Sequence, residues 1–572
     1  MSFLTFNPFK RERQNFPGVV IPLSEAPLRS HPVEFEKEKD DSSIDQPKPL
    51  DRAPSAENGS AGSLPETSHL TIEALRAEID AESSTAGLDS MYDRKARVIN
   101  RAIQDIGMGR YQWELFALCG FGWTADNLWL QGVALTLTPI QNEFGLGESE
   151  VRFTTCALFV GLCIGASFWG VASDIVGRRL AFNCTLFLAG VFGLASGGGP
   201  NWVGTCALYA CLGLGVGGNL PVDGATFLEF LPCESGSYLT MLSVFWPIGQ
   251  LIGSLFAWAY IPLFSCDPTV ETCTKENNMG WRYLVLTLGA ITFAMFCARF
   301  FLFHLYESPK YLLSRGRQDE AVASVHGIAY RNKAKTWLTS EILNEIGGIA
   351  ETKEEEKLSV GEIIKRFFSK FSMERIGPLF ANKRLGFTTV LLWFCWTTIG
   401  MGYPLFNAFL PQYLGSSASS TYITYRNYAI TSIVGVPGSV LACYTVEIKY
   451  IGRKGTMAIA TLITGVLLFC FTASTDSNVQ LACTCLEAFF QNIMYGVLYA
   501  YTPEVFPAPN RGTGTGIASC LNRIAGLCAP LVAIYSSNTS PTAPIYASGG
   551  LILASFVAMI FLPIETRGKQ AL

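Results

Sequence analysis

Charge is what this sequence has least of. Acidic and basic side chains make up 15 % of the chain, against about 25 % in soluble proteins of ordinary composition. Hydrophobic residues reach 49 % and the mean hydropathy is +0.29, which excludes a string of soluble domains. Histidine is scarce, with four residues, and there is neither a CxxC pair nor a Cys/His cluster, so no metal site is expected. The glycines at Gly213, Gly215, Gly217 and Gly218 follow no strand and precede no GK[ST], so they do not form a nucleotide loop. They suit a helix that approaches a neighbour closely. No nucleophile–base pairing and no cofactor loop is visible, so neither an enzyme nor a bound cofactor is expected. A net charge of −4 and a pI near 5.8 leave no footprint for nucleic acid. The opening MSFLTFNPFKRERQNFPG is too polar and too short for a signal peptide.

What is present is a series of apolar runs of about 18–25 residues, each long enough to cross a hydrocarbon layer as a helix. Lipid leaves unpaired backbone groups unsatisfied, so helices rather than open strands are expected. The runs fall at 113–138, 152–173, 179–198, 201–229, 238–263, 282–304, 386–411, 426–447, 455–474, 478–502, 512–534 and 542–563. The expected fold is an all-α membrane protein of about twelve spans. Residues 1–110 read as a cytosolic, largely disordered tail ending in an amphipathic helix on the membrane surface, with Ile99, Ile103 and Ile106 on one face. Residues 111–304 and 386–563 form two six-helix halves, 305–385 a cytosolic linker with amphipathic helices, and 564–572 a short cytosolic tail. Arg178, Arg179, Lys449, Arg453, Lys454, Arg511 and Arg567 share one side, which the positive-inside rule makes cytosolic.

An internal repeat supports the two halves. GVASDIVGRRL follows the second span and EIKYIGRKG the eighth; Glu229-Phe-Leu-Pro closes the fourth span and Glu504-Val-Phe-Pro the tenth. Gly177 to Gly452 and Glu229 to Glu504 are both 275 residues apart. Two landmarks with one offset indicate two copies in the same order, a recurring plan among transporters.

These segments resemble the major facilitator superfamily, from about residue 100 to the C-terminus. The G-x-x-x-D-x-x-G-R-R signature stands at Gly170, Asp174, Gly177, Arg178 and Arg179. More narrowly, IGMGRYQW, GWTADNLWLQ, GVGGNLPVDGATFLEFLP, SVFWPIG and YTPEVFPAPNRGTGTG are similar to the metabolite:proton symporter branch related to synaptic-vesicle protein 2. YESPKYLLSRGR and LPIETRGK are similar to sugar-porter signatures. The second loop copy departs by carrying Lys449 where the first has Asp174, and Gly236 stands where the repeat has Arg511. Trp129 replaces the second acid that the vesicle-protein relatives carry. The resemblance implies secondary active transport of a small organic solute by alternating access, with the bilayer and a proton as partners and a monomer as the working unit. A plasma membrane is expected over a vacuolar or vesicular one.

Charges at membrane depth are costly, about 2.5–3.5 kcal/mol on insertion scales, and so mark candidate sites. Asp126, halfway along the first span, is the first choice for a proton site; a permanent pair with Arg523 is the alternative. Asp223, after Pro221, either joins coupling, binds an amine or caps freed amides. Glu487 either joins coupling or sits at the rim, reaching toward water. Arg523 matches a carboxylate in two contacts, pointing to an organic anion as solute. Trp246 and Gln250 lie one turn apart, as do Tyr403 and Asn407, and both pairs are candidates for the solute cavity. The resemblance puts the matching Trp on the cavity wall. Asp174, Arg178, Arg179, Glu229, Arg453, Glu504 and Arg511 are expected to gate through salt bridges formed in one state only. A facilitative sugar carrier is the competing reading; against it, few paired donors and acceptors are visible. A transport-incompetent sensor on the same fold is a further alternative. Cys266 and Cys273, in an outer connector, either pair or stay reduced, and Asn538 opens a glycosylation sequon.

Overall fold

The computed structural model describes residues 16–26, 70–86, 91–232, 237–266, 273–348, 376–380, 382–417, 420–446, 448, 451–506, 511–537, 540 and 542–566. The disorder expected of the tail falls mostly on residues outside this set, as do the sequon residue Asn538, Glu447 and Lys449.

Among the described residues the regular structure is helical, apart from one isolated bridge between Val20 and Thr336. Two helices, α1 (Ile72–Ala86) and α2 (Met91–Ile106), precede the membrane region. The first half follows as α3 (Arg110–Phe144), α4 (Phe153–Val176), α5 (Arg178–Ser196), α6 (Trp202–Val216) with α7 (Asn219–Phe230), α8 (Phe245–Phe264) and α9 (Gly280–Cys297). After α10 (Gln318–Arg331) and α11 (Ser340–Gly347) comes the second half: α12 (Lys383–Asn407), α13 (Thr421–Thr445), α14 (Gly452–Ala473), α15 (Ser477–Val505), α16 (Arg511–Ser537) and α17 (Ala543–Ile560).

Eleven of the described helical stretches are long and apolar enough to cross a membrane. The twelfth span is α3, which runs for 35 residues and carries Asp126, Asn127 and Gln131 amid its apolar turns. Its lower hydropathy is tolerated because those polar residues are buried against protein rather than exposed to lipid. The fourth span bends between α6 and α7 at Gly217 and Gly218, where the sequence runs Gly-Gly.

The apolar face of the amphipathic α2 is turned to protein. Its apolar face, Val98, Ile99, Ala102, Ile103 and Ile106, is buried with Leu312, Val325, Ile328 and Leu343 of the linker. Lys95 reinforces that contact, donating to Gln318 Oε1 at 2.7 Å and Asn344 Oδ1 at 3.2 Å. Residues 16–26 join the same core through Val19 and through Thr336, whose N–H donates to the Val19 carbonyl. Amphipathy predicts that a face is covered, and here a neighbouring helix rather than lipid covers it.

The cores are distributed unequally. On the side away from Arg178, one apolar core takes residues from both halves, including Leu128, Leu135 and Leu158 with Phe406, Leu410 and Tyr425. Arg152 crosses there to donate to the Ala533 carbonyl at 3.0 Å and lies over the Phe409 ring, and Tyr425 donates to the Leu135 carbonyl at 2.9 Å. On the Arg178 side the first half shares a core with residues 16–26, α1, α2 and the linker. The second half has its own, into which Trp246 reaches.

Candidate functional site

Where the halves face each other, α3 supplies Asp126, α8 Trp246 and α16 Arg523. Gly249 permits this: a Cβ there would come within 2.2 Å of the Thr124 carbonyl, so α8 packs against the backbone of α3. The Trp246 indole N–H donates to Asp126 Oδ2 at 3.0 Å, and the Asn127 amide donates to the Trp246 carbonyl at 3.0 Å. Arg523 Nη2 stands 3.5 Å from Asp126 Oδ1, an oxygen that receives no hydrogen bond. Asp126 is thus paired across the two halves, but loosely, and it is 1 % exposed. The contact brings together the two residues that the sequence offered as a proton site and its partner.

A belt of amides and phenols surrounds this pair. Gln131 donates to the Tyr403 hydroxyl at 2.7 Å and accepts from the Tyr428 hydroxyl, linking α3 to α12 and α13. Gln250 lies beside the same Tyr428 hydroxyl. Asn407 donates to Gln491 Oε1 at 3.2 Å. Paired donors and acceptors, judged few from sequence, are therefore plentiful. They come from five different spans, so no single segment displays them.

Aromatic rings complete the layer. Trp246 meets Tyr495 at 5.1 Å and Tyr403 at 5.6 Å between centroids, and Tyr499 meets Trp123 at 5.3 Å and Trp396 at 4.8 Å. A narrow cleft lies between the halves here, lined by Trp123, Trp246, Tyr495, Tyr499, Ser439 and Asn492.

Two acids differ from expectation. Asp223 is fully buried inside the first half, where Arg299 grips both its oxygens at 2.9 and 3.3 Å. Arg299 also donates to the Phe182 and Leu118 carbonyls and lies over the Phe182 ring. Rather than facing the cavity, Asp223 forms an ion pair with Arg299 inside the first half, with one hydrogen bond to each of its oxygens. Arg299 was visible as a charge near the end of the sixth apolar run, and pairing it with Asp223 was the available inference. Glu487 is no rim residue: it is 1 % exposed on α15.

The expected gating residues lie on the Arg178 side. Arg178 bridges Glu229 at 3.0 Å, and Arg453 pairs with Glu504. The side chains of Asp174 and Arg511 lie outside the described residues. Sequence reasoning missed Glu307 and Glu565. Glu307 accepts from the Arg178 and Arg179 N–H groups at the start of α5, and Glu565 from those of Arg453 and Lys454 at the start of α14. Gly177 (φ +111°) and Gly452 (φ +61°) turn the chain into those helices. A carboxylate at a helix N-terminus meets unpaired amides and the positive end of the dipole. Burial pushes the Glu307 carboxyl up from the usual range, opposed by the N–H groups it accepts from. The two halves thus repeat a device that sequence shows only as ESP and ETRG segments. In the connector after α8, Cys266 and Cys273 are joined in a disulfide, with Cα atoms 5.9 Å apart.

The profile of the Major Facilitator Superfamily matches residues 116–448 and 392–572. The chain belongs to this superfamily. A relative from Ceriporiopsis subvermispora, called MFS siderochrome iron transporter 1, is 46 % identical over 85 % of this chain and 93 % of its own. The synaptic vesicle 2-related protein of Xenopus laevis is 26 % identical over 82 % of each chain. Among solved structures, the proton:xylose symporter XylE bound to a bromo-deoxyglucose has a TM-score of 0.61 at 18 % identity, covering 81 % of this chain and 98 % of its own. That likeness bears on the fold. Major facilitator proteins are multi-pass membrane transporters, and the two six-helix halves seen here are that architecture.

Proposed function

We propose that this chain is a secondary active transporter working by alternating access, in which a proton taken up at Asp126 drives a small polar organic solute through the layer of Trp246. The observation that carries it is the Asp126–Arg523 contact, 3.5 Å across the two halves. A proton on Asp126 removes the charge that holds Arg523, so protonation and the relation of the halves are tied at one atom. The shared core away from Arg178 and the separate cores beside it support a state closed on the far side. Arg178–Glu229 and Arg453–Glu504 then belong to the elements that exchange partners as the halves rock. The arginine-rich face and both termini are assigned to the cytosol, and the membrane to the plasma membrane.

The lining favours a hydroxylated solute of the sugar kind over the organic anion expected from sequence. Gln131, Gln250, Asn407, Gln491, Tyr403 and Tyr428 offer hydroxyl partners, whereas Arg523 is engaged by Asp126. A carboxylate remains the second reading because the contact is loose: once Asp126 is neutral, Arg523 offers two donors to a carboxylate. The narrower kinship, with the metabolite:proton symporters and vesicle-protein relatives, agrees with either solute.

Proton entry into pyranine-loaded proteoliposomes, with pooled sugars or carboxylates added outside, tests this. Acidification with one pool supports symport and names the class; saturable binding without proton movement contradicts it and points to a facilitative carrier or a sensor.

A further inference from the structure

Glu487 is a buried acid, and among the described residues no basic side chain forms an ion pair with it. The Asn407 amide is the polar group beside its oxygens, and that amide is shared with Gln491, to whose Oε1 it donates at 3.2 Å. The other acids buried in the membrane region are matched. Asp126 has Trp246 and Arg523, Asp223 has Arg299, and Glu143 has Arg282 at 2.6 Å and the Trp281 indole at 2.8 Å. An ionised group left unpaired in a dry interior is costly, so this carboxyl either holds a proton or is balanced by a positive group that binds beside it.

The surroundings identify what fits. Glu487, Gln491, Tyr495 and Tyr499 recur every four residues, so they form one stripe of α15, the stripe that lines the cleft at Tyr495 and Tyr499. The phenols of Tyr403, Tyr428 and Tyr495 neighbour Glu487. Trp246, Tyr403 and Tyr495 form a three-ring cluster, the last two edge to face at 5.4 Å. Ring faces attract a cation through their quadrupole, and a carboxylate among them adds a full charge. Arg523 also acts on the Tyr495 phenol, but it is engaged by Asp126, which leaves Glu487 as the acid of this layer without a basic partner.

We propose that Glu487, with the rings of Trp246, Tyr403 and Tyr495, is a subsite for a cationic nitrogen on the solute, an ammonium or quaternary ammonium group. This rests on the reading of the Trp246 layer as the solute cavity and narrows the solute to one that carries a positive nitrogen beside its hydroxyl or carboxylate groups.

The test is equilibrium binding to the full-length protein in nanodiscs, followed by tryptophan fluorescence, with matched probes: choline against its uncharged isostere 3,3-dimethylbutan-1-ol, and glucosamine against glucose. At least one cation binds about tenfold or more tightly than its neutral partner. Glu487→Gln erases that preference and Glu487→Asp retains part of it, with melting temperatures recorded to exclude unfolding. Equal affinity within both pairs in the wild type, or a preference that survives Glu487→Gln, overturns the subsite. Solute-driven proton entry, measured in parallel, separates the readings: its absence counts against symport alone, and loss of cation preference against this subsite alone.

Discussion

Asp126 and Arg523 meet from opposite halves of the protein, and the arginine reaches the one carboxylate oxygen that the Trp246 indole leaves open. Two helices that must move relative to each other are thereby joined through a charge that a single proton cancels. A pair within one half, such as Asp223–Arg299, has no such consequence, because its partners travel together.

That contrast gives the first prediction. Arg299→Leu alone strands a buried carboxylate and costs about 3–5 kcal/mol, read as a large fall in melting temperature in detergent. Asp223→Leu combined with Arg299→Leu recovers most of it, and the double variant keeps proton-driven uptake. Loss of coupling in a double variant of unchanged stability would return Asp223 to the transport mechanism.

Arg152 is 1 % exposed and ties the far ends of the halves through the Ala533 carbonyl and the Phe409 ring. Arg152→Ala weakens that closure. A cysteine introduced at Leu135, fully buried in the shared core, then reacts several-fold faster with a membrane-impermeant maleimide than in the Arg152 background. An unchanged labelling rate means that the apolar core alone holds the far side shut.

Glu307 carries a pH signature. Its folded-state carboxyl titrates above the unfolded value because burial outweighs its N–H partners. Such a group favours the fold below the unfolded value and loses that contribution as pH rises through the folded one. The melting temperature of Glu307→Gln relative to the wild type therefore rises between pH 5 and 8. A relative fall across that range would mean that the ionised form, held by the Arg178 and Arg179 N–H groups, is the one the fold prefers.

Much of the architecture was legible because lipid imposes it. Long apolar runs, the 275-residue offset and the Gly177-Arg178-Arg179 turn need no tertiary information. Asp126, Trp246 and Arg523 could be singled out since a charge at membrane depth and an SVFWPIG segment are each unusual alone, and the structure brings the three together. Gln131 and Tyr428 were not, because an amide or a phenol in a span is unremarkable until a partner 297 residues away completes it. Glu487 could be found from its charge but not placed, since depth along a helix does not say which neighbour covers it. The same ambiguity holds for α2, whose periodicity marks an apolar face without naming the helices of the linker that bury it.

Asp126→Asn decides whether Asp126 carries the coupling proton. Asparagine keeps the shape and the partner for the Trp246 indole but holds no titratable proton and no charge for Arg523. In proteoliposomes, with the solute identified by proton entry, the account predicts that the variant loses accumulation driven by a pH gradient and retains solute exchange at equal pH. Accumulation that persists at the wild-type level in Asp126→Asn would contradict it.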